Sequence, residues 1–72
     1  MMAKHSPRIT EFTAKGPDFF TARLDNGGAR VGMVGGPWVN VPAGHPSHAA
    51  IVGCTTEAEA EACFDVVYGA TL

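Results

Sequence analysis

Residues 19–34 read FFTARLDNGGARVGMV, and the prediction of the fold starts from this segment. Two apolar runs flank the polar residues Asp25-Asn26-Gly27-Gly28, and each run alternates with the period of a half-buried strand. Asn-Gly between two such runs is the strongest short-range signal for a β-hairpin. The sequence therefore predicts a hairpin whose type I′ turn holds Asn26 and Gly27 at positive φ.

Each arm of the predicted hairpin has an apolar face. On the first arm this face comprises Phe20, Ala22 and Leu24, and on the second arm it comprises Val31 and Met33. The opposite faces carry Phe19, Thr21, Arg23, Arg30, Gly32 and Val34. We expect the two apolar faces to join one core, whose predicted members are Phe12, Phe20, Leu24, Val31, Met33, Trp38, Val39, Val41, Ile51, Phe64 and Val67.

Other segments add strands on both sides of the hairpin. Residues 8–14 favour a first strand with Phe12 and Ala14 toward the core, and residues 38–41 favour a short edge strand that ends at Pro42. Residues 48–53 are interpreted as a last short strand. The predicted class is α+β, an antiparallel sheet of three to five strands with one C-terminal helix packed on one face.

Residues 57–68 predict that helix. Thr56 and Glu59 have the spacing of a capping box, and Gly69 is expected to follow the helix in the left-handed conformation. A stripe with helical spacing should dock on the sheet; it comprises Ala60, Cys63, Phe64 and Val67, widened by Ala62 and Val66.

Size and composition narrow the function classes. A chain of 72 residues is one domain, and we expect residues 1–7 to form a flexible arm and residues 8–72 to form the folded part. So small a core leaves no room for a deep substrate cavity, so we expect no enzyme and no cofactor. The sequence has no apolar run of about 20 residues and no signal segment, so we expect a cytoplasmic protein without membrane contact.

Charge divides the chain. Residues 1–30 carry all five basic residues and a net charge of +2, whereas residues 31–72 carry four acidic residues and a net charge of −4. Nucleic-acid binding normally needs a basic excess, so nucleic acid is possible but not favoured. The acidic side chains of the helix either bind a basic partner or form a solvated face.

Four groups of residues suggest chemistry, and each has an ordinary structural explanation. His45 and His48 have ligand types that zinc uses, but a closed site needs four ligands, so we expect no metal. Cys54 and Cys63 are expected to be free thiols, with Cys63 buried and inert. The glycine-rich residues 32–36 lack the Lys-Ser/Thr of a phosphate loop and are expected to bend a strand. Trp38 belongs either to the core or to an exposed apolar patch with Phe19 and Val34.

The segment Thr-Thr-Glu-Ala-Glu-Ala-Glu-Ala-Cys-Phe at residues 55–64, which follows predicted strands, resembles the arm-type DNA-binding domain of phage integrases. That resemblance covers residues 19–64 and implies a three-stranded sheet with one helix and a DNA-binding role. The chain departs from this family because its basic residues are few.

The small size, the acidic helix, the basic N-terminal arm and the Ala/Gly/Val/Pro-rich composition together resemble small bacteriophage proteins that bind a large host machine. One such group regulates bacterial RNA polymerase and includes a transcription inhibitor and antiterminator of a Xanthomonas phage. The anti-CRISPR proteins, which inhibit Cas complexes, are the other. This resemblance implies a non-enzymatic regulator that binds RNA polymerase, with an anti-CRISPR inhibitor or a DNA-binding module as alternatives.

We expect the partner to be contacted by the arm and by the acidic helix. In the arm, Lys4, His5, Ser6, Arg8 and Ile9 would supply charge and hydrogen bonds, although a frayed terminus is the ordinary alternative. On the helix, the expected contacts are Glu57, Glu61 and Asp65, which repeat at intervals of four residues.

Overall fold

A computed structural model describes residues 7–71, with only the backbone of Thr71. Four strands precede two helices, and the bounds are β1 Ile9–Ala14, β2 Phe19–Leu24, β3 Ala29–Met33, β4 Trp38–Val41, α1 His48–Gly53 and α2 Glu57–Thr71. The predicted α+β class is confirmed, because the C-terminal helix packs on one face of an antiparallel sheet. Of the predicted flexible arm, residues 1–6 lie outside the described part of the chain.

The sheet is a meander in the order β1-β2-β3-β4, and every neighbouring pair is antiparallel. The predicted first strand, both hairpin arms and the short edge strand all form. Within residues 7–71, strand β1 pairs only with β2, and the register shifts between Ile9 and Glu11. Such an irregularity at an edge bends the strand and increases its twist.

The turn of the central hairpin differs from the prediction. The Leu24 N–H donates to the Gly28 carbonyl at 2.9 Å and the Gly27 N–H donates to the Leu24 carbonyl at 3.1 Å, so the loop has three residues instead of two. Gly27 has a φ of +87°, whereas Asn26 is not among the residues with positive φ. This is a tight turn followed by a glycine bulge, and the type I′ prediction was wrong. Asn26 instead accepts a bond from the Gly28 N–H with its Oδ1 at 2.9 Å.

One extra residue in the turn changes which side chains share a face, because a one-residue slip moves every side chain of a strand to the other side. Val31 pairs with Thr21, and Phe20 pairs with Gly32. Phe20 and Val31 therefore lie on opposite faces, and the prediction that the two apolar faces meet in one core was wrong.

The face of the sheet that bears Val31 is covered by both helices. Its core cluster contains buried residues from three strands and both helices: Phe19, Ala29, Val31, Val41, Ile51, Cys54, Ala60, Phe64 and Val67. Phe19 meets Phe64 edge to face with ring centroids 5.9 Å apart, and Phe64 stacks on Tyr68 at 4.8 Å. Phe19 was assigned to the outer face from the sequence, and that assignment was wrong for the same register reason.

Residues 48–53 form the short helix α1, so the prediction of a last strand was wrong. Ala49 and Ala50 are strong helix formers, and Pro42 ends the edge strand before this segment can pair with it. Helix α1 lies on β2 and β3 and buries Ile51 completely.

Helix α2 begins as predicted and ends later. The Glu59 N–H donates to the Thr56 hydroxyl at 3.2 Å, which confirms the N-terminal cap. The helix continues through Gly69, which does not adopt the left-handed conformation expected of it. The stripe from Ala60 to Val67 packs on the sheet, but Ala62 and Val66 are exposed and do not widen it.

The carboxylate of Glu57 ties the start of α2 to the turn between β1 and β2. It accepts bonds from the backbone N–H groups of Asp18 at 2.8 Å and Phe19 at 3.2 Å. Gly16 in the same turn has a φ of +144°, and a Cβ there would lie 2.6 Å from the Glu57 carboxyl carbon. This turn therefore requires glycine for its backbone conformation and for the approach of Glu57.

Candidate interaction surface

The second face of the sheet is covered by neither helix. One cross-strand row on this face runs Ala14, Phe20, Gly32, Trp38, and the next row runs Phe12, Ala22, Arg30, Asn40. Phe20, Ala22 and Leu24 are buried there, although none of them belongs to the core cluster. Side chains of neighbouring strands therefore contribute to the burial of these three residues, and the outermost of those side chains contact solvent.

Phe12 forms the upper layer of this open face. Its ring stacks on Phe20 with centroids 5.0 Å apart and planes inclined by 21°. Phe20 is only 7% exposed as a result, whereas Phe12 is 55% exposed. Phe12 was predicted to lie in the core, and that prediction was wrong because Phe12 lies on the face of the sheet that neither helix covers.

Trp38 is the second large exposed ring on the open face, at 48% exposure. Its approach to β3 is possible only because residue 32 is glycine: a Cβ there would lie 2.4 Å from the Trp38 Cβ. The Arg30 guanidinium carbon lies 3.8 Å above the centre of the Trp38 ring, and the Arg30 Nε donates to Asn40 Oδ1 at 2.7 Å. A cation held over an indole ring is attracted to its electron-rich face.

The exposed patch that was the alternative to a core position for Trp38 is present in an altered form. Trp38 and Val34 are exposed as that alternative required, and the core alternative for Trp38 was wrong. Phe19 does not belong to the patch, and Phe12 takes its place beside Phe20. Met33, also predicted as core, is exposed at the end of β3.

Charge differs between the two sides of the molecule. Arg30 is the charged side chain in the two cross-strand rows of the open face. The acidic side chains of α2 lie on the helical side, where Glu59 and Glu61 are exposed. Helix α2 packs against β2, β3 and β4. A partner that contacts the open face therefore meets aromatic rings and a cation.

The predicted arm contacts fall partly outside the described residues, since Lys4, His5 and Ser6 precede residue 7. Arg8 and Ile9 are both exposed at the start of β1. Two hydrogen bonds hold the Arg8 backbone. The Arg8 carbonyl accepts from the Asp25 N–H at 2.9 Å, and the Arg8 N–H donates to Asp25 Oδ1 at 3.2 Å. These two residues border the open face.

The predicted acidic contacts do not form one equivalent set. Glu61 and Asp65 are exposed on α2. Glu57 is half-buried, and its carboxylate is engaged by the Asp18 and Phe19 amides, so it has a structural role that the sequence spacing did not reveal. The structure does not bring this acidic set together with Arg8 and Ile9, because α2 and β1 are not packed against each other.

Glu59 has a local role at the beginning of α2. Its Oε1 accepts bonds from the Thr55 N–H at 2.7 Å and from the Thr55 hydroxyl at 3.2 Å. These bonds, with the backbone bond as the largest cause, lower the pKa of the Glu59 carboxyl from its usual value. The carboxylate stabilises the helix start in its ionised form.

Both cysteines are free and lie along one open groove of about 400 Å³ between α1 and α2. Burial raises the pKa of the Cys54 thiol, while nearby Lys15 acts more weakly in the opposite direction. Burial is also the main cause of the raised pKa of the Cys63 thiol. A raised pKa leaves the thiols protonated and weakly nucleophilic near neutral pH.

The two histidines hold the loop between β4 and α1. The Ser47 N–H donates to His45 Nδ1 at 3.0 Å, and His48 Nε2 lies 3.0 Å from the Gly27 carbonyl oxygen. Within residues 7–71, no three His, Cys, Asp or Glu side chains are grouped so that they could hold a metal ion. Both imidazoles thus have backbone groups as partners.

The sequence analysis did not predict that Phe12 and Trp38 are both exposed on the same face of the sheet. The sequence signal for the exposed position of Trp38 is Gly32, which lies between Phe20 and Trp38 in their cross-strand row and has no side chain. A glycine in a strand interior often marks a close approach by a neighbour. Locating that row, however, requires the correct turn length.

Comparison of the chain with protein families, curated proteins and solved structures finds no match. Neither helix in residues 7–71 has the length and apolar character needed to cross a bilayer. A functional proposal for this chain therefore rests on the chemistry of its own surface.

Proposed function

We propose that this chain is a non-enzymatic regulator that binds a protein partner through the open face of its sheet. The observation that carries the proposal is the presence of Phe12 and Trp38, each about half exposed, on one face that neither helix covers. Exposed apolar patches of this kind mark interaction sites on soluble proteins.

The chemistry of the face fits a protein interface. Trp and Arg are over-represented among the side chains that contribute most to binding, and here Arg30 already stacks on Trp38. Because the Asn40 side chain fixes the Arg30 guanidinium, little conformational entropy is lost when a partner covers the pair. Phe12 is similarly fixed by its stack on Phe20.

The partner we propose is bacterial RNA polymerase, which the protein would inhibit or modulate in the bacterial cytoplasm. Support for this choice is the resemblance in size and composition to small phage regulators. Within the proposal, Lys4, His5, Ser6, Arg8 and Ile9 extend the contact from the border of the open face. Glu61 and Asp65 would form a second contact, and Glu57 would contribute by holding α2 in place.

The test is binding of the tagged chain to purified RNA polymerase holoenzyme, followed by transcription in vitro. Wild-type protein should bind the holoenzyme, and it should either lower the amount of transcript or lengthen the transcripts. Trp38→Ser and Phe12→Ser should each weaken binding by about tenfold or more, as loss of an interface anchor does. The matched control is Val66→Ser, because Val66 is 65% exposed but lies on α2.

Two results would contradict the proposal. Absence of binding to the purified enzyme would remove RNA polymerase as the partner. Unchanged binding by Trp38→Ser and Phe12→Ser would remove the open face as the binding surface. Charge reversal at Glu61 and Asp65 tests the second contact separately, and unchanged affinity would exclude it.

An anti-CRISPR role is the alternative within the same class, and the same surface would serve it. Inhibition of DNA cleavage by a purified Cas complex, sensitive to Trp38→Ser, would move the proposal to that target. Retained cleavage at a large excess of the protein would eliminate that target.

Single-stranded nucleic acid is a second candidate, favoured by the stacked Arg30 and Trp38 beside the exposed Phe12 ring. Bases stack on exposed aromatic rings, and arginine adds a cation for phosphate or base. The net charge of −2 opposes this candidate. Titration of labelled single-stranded DNA and RNA at low salt tests it, and a salt-dependent affinity lost in Trp38→Ser would favour it over the protein partner.

A further inference from the structure

We propose that strand β1 receives an extended strand from the protein partner, which would become a fifth strand of the sheet. This inference rests on the proposed function, since it names how a protein partner engages the border of the open face. The added strand would alternate apolar side chains on the open face with acidic side chains on the helical face. Addition of a strand at an open edge is a common mode of peptide recognition.

The backbone geometry of β1 provides the outer edge. The Lys15 N–H donates to the Phe19 carbonyl at 2.9 Å, and bonded pairs alternate along an antiparallel ladder. Glu11 and Thr13 therefore bond inward to β2, and the N–H and C=O groups of Phe12 and Ala14 point outward. Among residues 7–71, β1 has no strand on this side.

The opposite edge of the sheet is less suited to strand addition. Prolines stand immediately before and after strand β4, Trp38–Val41. Proline lacks the N–H that a ladder needs and is a common protection of sheet edges against unwanted pairing. Strand β1 has no proline within it.

The side chains beside β1 define the chemistry of the added strand. On the open face, a neighbouring strand would place a side chain beside Phe12, which already covers Phe20. On the helical face, β1 lines a groove of about 190 Å³ that includes Lys15, Thr13 and Arg23. Arg23 is paired with Glu11 at 3.1 Å, so Lys15 is the remaining charge of the groove lining, and it also acts electrostatically on the Glu59 carboxylate at the start of α2. The partner strand should therefore be apolar on one side and acidic on the other.

A larger partner is favoured over a second copy pairing edge to edge. The register shift between Ile9 and Glu11 limits the regular part of β1 to Glu11–Ala14. Pairing over so short a stretch buries little surface, and stable dimers need substantially more. A protein whose strand lies on β1 and whose adjoining surface covers Trp38 gains the additional area.

The experiment uses the full chain and a displayed library of random peptides as the probe. Selected peptides should alternate apolar and acidic residues, and they should be remade synthetically for titration by fluorescence anisotropy. Ala14→Pro removes an outward N–H without removing an inward bond, and it should weaken peptide binding by about tenfold or more. The matched control is Ala14→Thr, which keeps the N–H and favours a strand, so its affinity should stay within about twofold.

A second measurement on the wild-type chain covers the case in which Ala14→Pro unfolds. Amide NMR of the peptide complex should show its largest shifts and new protection from hydrogen exchange at Phe12 and Ala14. Shifts confined to α2, or equal affinities for Ala14→Pro and Ala14→Thr, would overturn strand addition. So would a wild-type dimer in sedimentation equilibrium that becomes monomeric in Ala14→Pro, because the edge would then belong to a second copy.

The two proposals fail in distinguishable ways. Loss of RNA polymerase binding in Trp38→Ser, together with unchanged binding in Ala14→Pro, would retain the open face and remove the added strand. Unchanged binding in both variants would remove both proposals.

Discussion

The two faces of this sheet are built from the same four strands but are completed differently. On the helical face, β2, β3 and β4 supply Phe19, Val31 and Val41 to a core that α1 and α2 close. On the open face, Phe20 and Ala22 are equally buried but do not belong to the core cluster that the helices close, and the Phe12 ring of a neighbouring strand covers Phe20.

The difference shows how a chain of this length distributes its apolar side chains. Two helices suffice to cover one face, and the short α1 and the longer α2 both lie there. On the other face, Phe12 stacks on Phe20, which shields Phe20 and leaves Phe12 exposed, and Arg30 lies over Trp38, which stays half exposed. Exposure of Phe12 and Trp38 is therefore a consequence of covering the sheet on one side only.

The largest expected effect is on the helical face. Phe64→Ala should lower the free energy of unfolding by about 3–5 kcal/mol, because the ring is buried against Phe19 and Tyr68 and its loss leaves a cavity. Urea melts followed by circular dichroism measure this. The control Val66→Ala, at an exposed site on the same helix, should change the free energy by about 0.5 kcal/mol or less. An unchanged midpoint for Phe64→Ala would contradict the packing of α2.

The second-largest effect on stability is expected in the turn between β2 and β3, whose length determines on which face each side chain lies. Gly27→Ala should cost about 1–2 kcal/mol, because alanine strains at a φ of +87°. A Cβ at Gly27 would lie 3.9 Å from that of Ala43, an ordinary contact, so the strain comes from the backbone alone.

Asn26→Ala is the matched variant in that turn. It removes only the bond to the Gly28 N–H and should cost about 0.5–1 kcal/mol. Thermal melts of both variants compare the costs. A larger cost at Asn26 than at Gly27 would contradict the three-residue turn and with it the assignment of Phe20 and Val31 to different faces.

A smaller effect is expected on the open face. Phe12→Ala should lower the free energy of unfolding by about 0.5–1.5 kcal/mol, the value of one aromatic pair. Urea melts beside Phe64→Ala give the comparison directly. A loss as large as that of Phe64→Ala would mean that both faces contribute equally to the core.

The smallest effect is a dependence on alkaline pH. Burial raises the pKa of the Cys54 and Cys63 thiols, so the unfolded chain ionises first as pH rises. The stability that the thiols contribute is complete below the ordinary thiol pKa, about 8.5, and is lost as pH rises through the folded-state pKa.

Urea midpoints at rising pH and rates of iodoacetamide labelling measure this effect. Wild-type labelling should be slower than that of a model thiol at the same pH. The double variant Cys54→Ala, Cys63→Ala should lose part of the decline in midpoint above that pH. Labelling as fast as that of the model thiol would show that the groove between α1 and α2 does not shield these groups.

Local patterns predicted most of the elements, because strand alternation, the capping box and the helical stripe depend on residues close in sequence. The capping box and the helical stripe both predict a helix over residues 57–68, and the helix forms there. The short helix at 48–53 was missed because six residues with one buried Ile51 satisfy either period. The packing of this segment on β2 and β3 decides between helix and strand.

The candidate surface could be predicted only in part. An exposed patch with Trp38 and Val34 was one of two alternatives for Trp38, and the partners of Trp38 depend on the register of two hairpins. The sequence Asp25-Asn26-Gly27 fits both a two-residue and a three-residue loop, and that choice exchanges the faces of Phe19 and Phe20. Likewise, nothing in the spacing of the acidic residues distinguishes Glu57, which binds the Asp18 amide, from the exposed Glu61.

The bond between Glu57 and the turn at Asp18 and Phe19 also bears on the order in which the molecule is built. Each pairing in the sheet joins strands that follow one another along the chain, so only short loops need to close. The Glu57 contact instead spans 39 residues to Asp18. Because a nascent chain emerges from its N-terminus, hairpins can pair during synthesis, but the Asp18 and Phe19 amides gain the Glu57 carboxylate as their partner only after the start of α2 has left the ribosome.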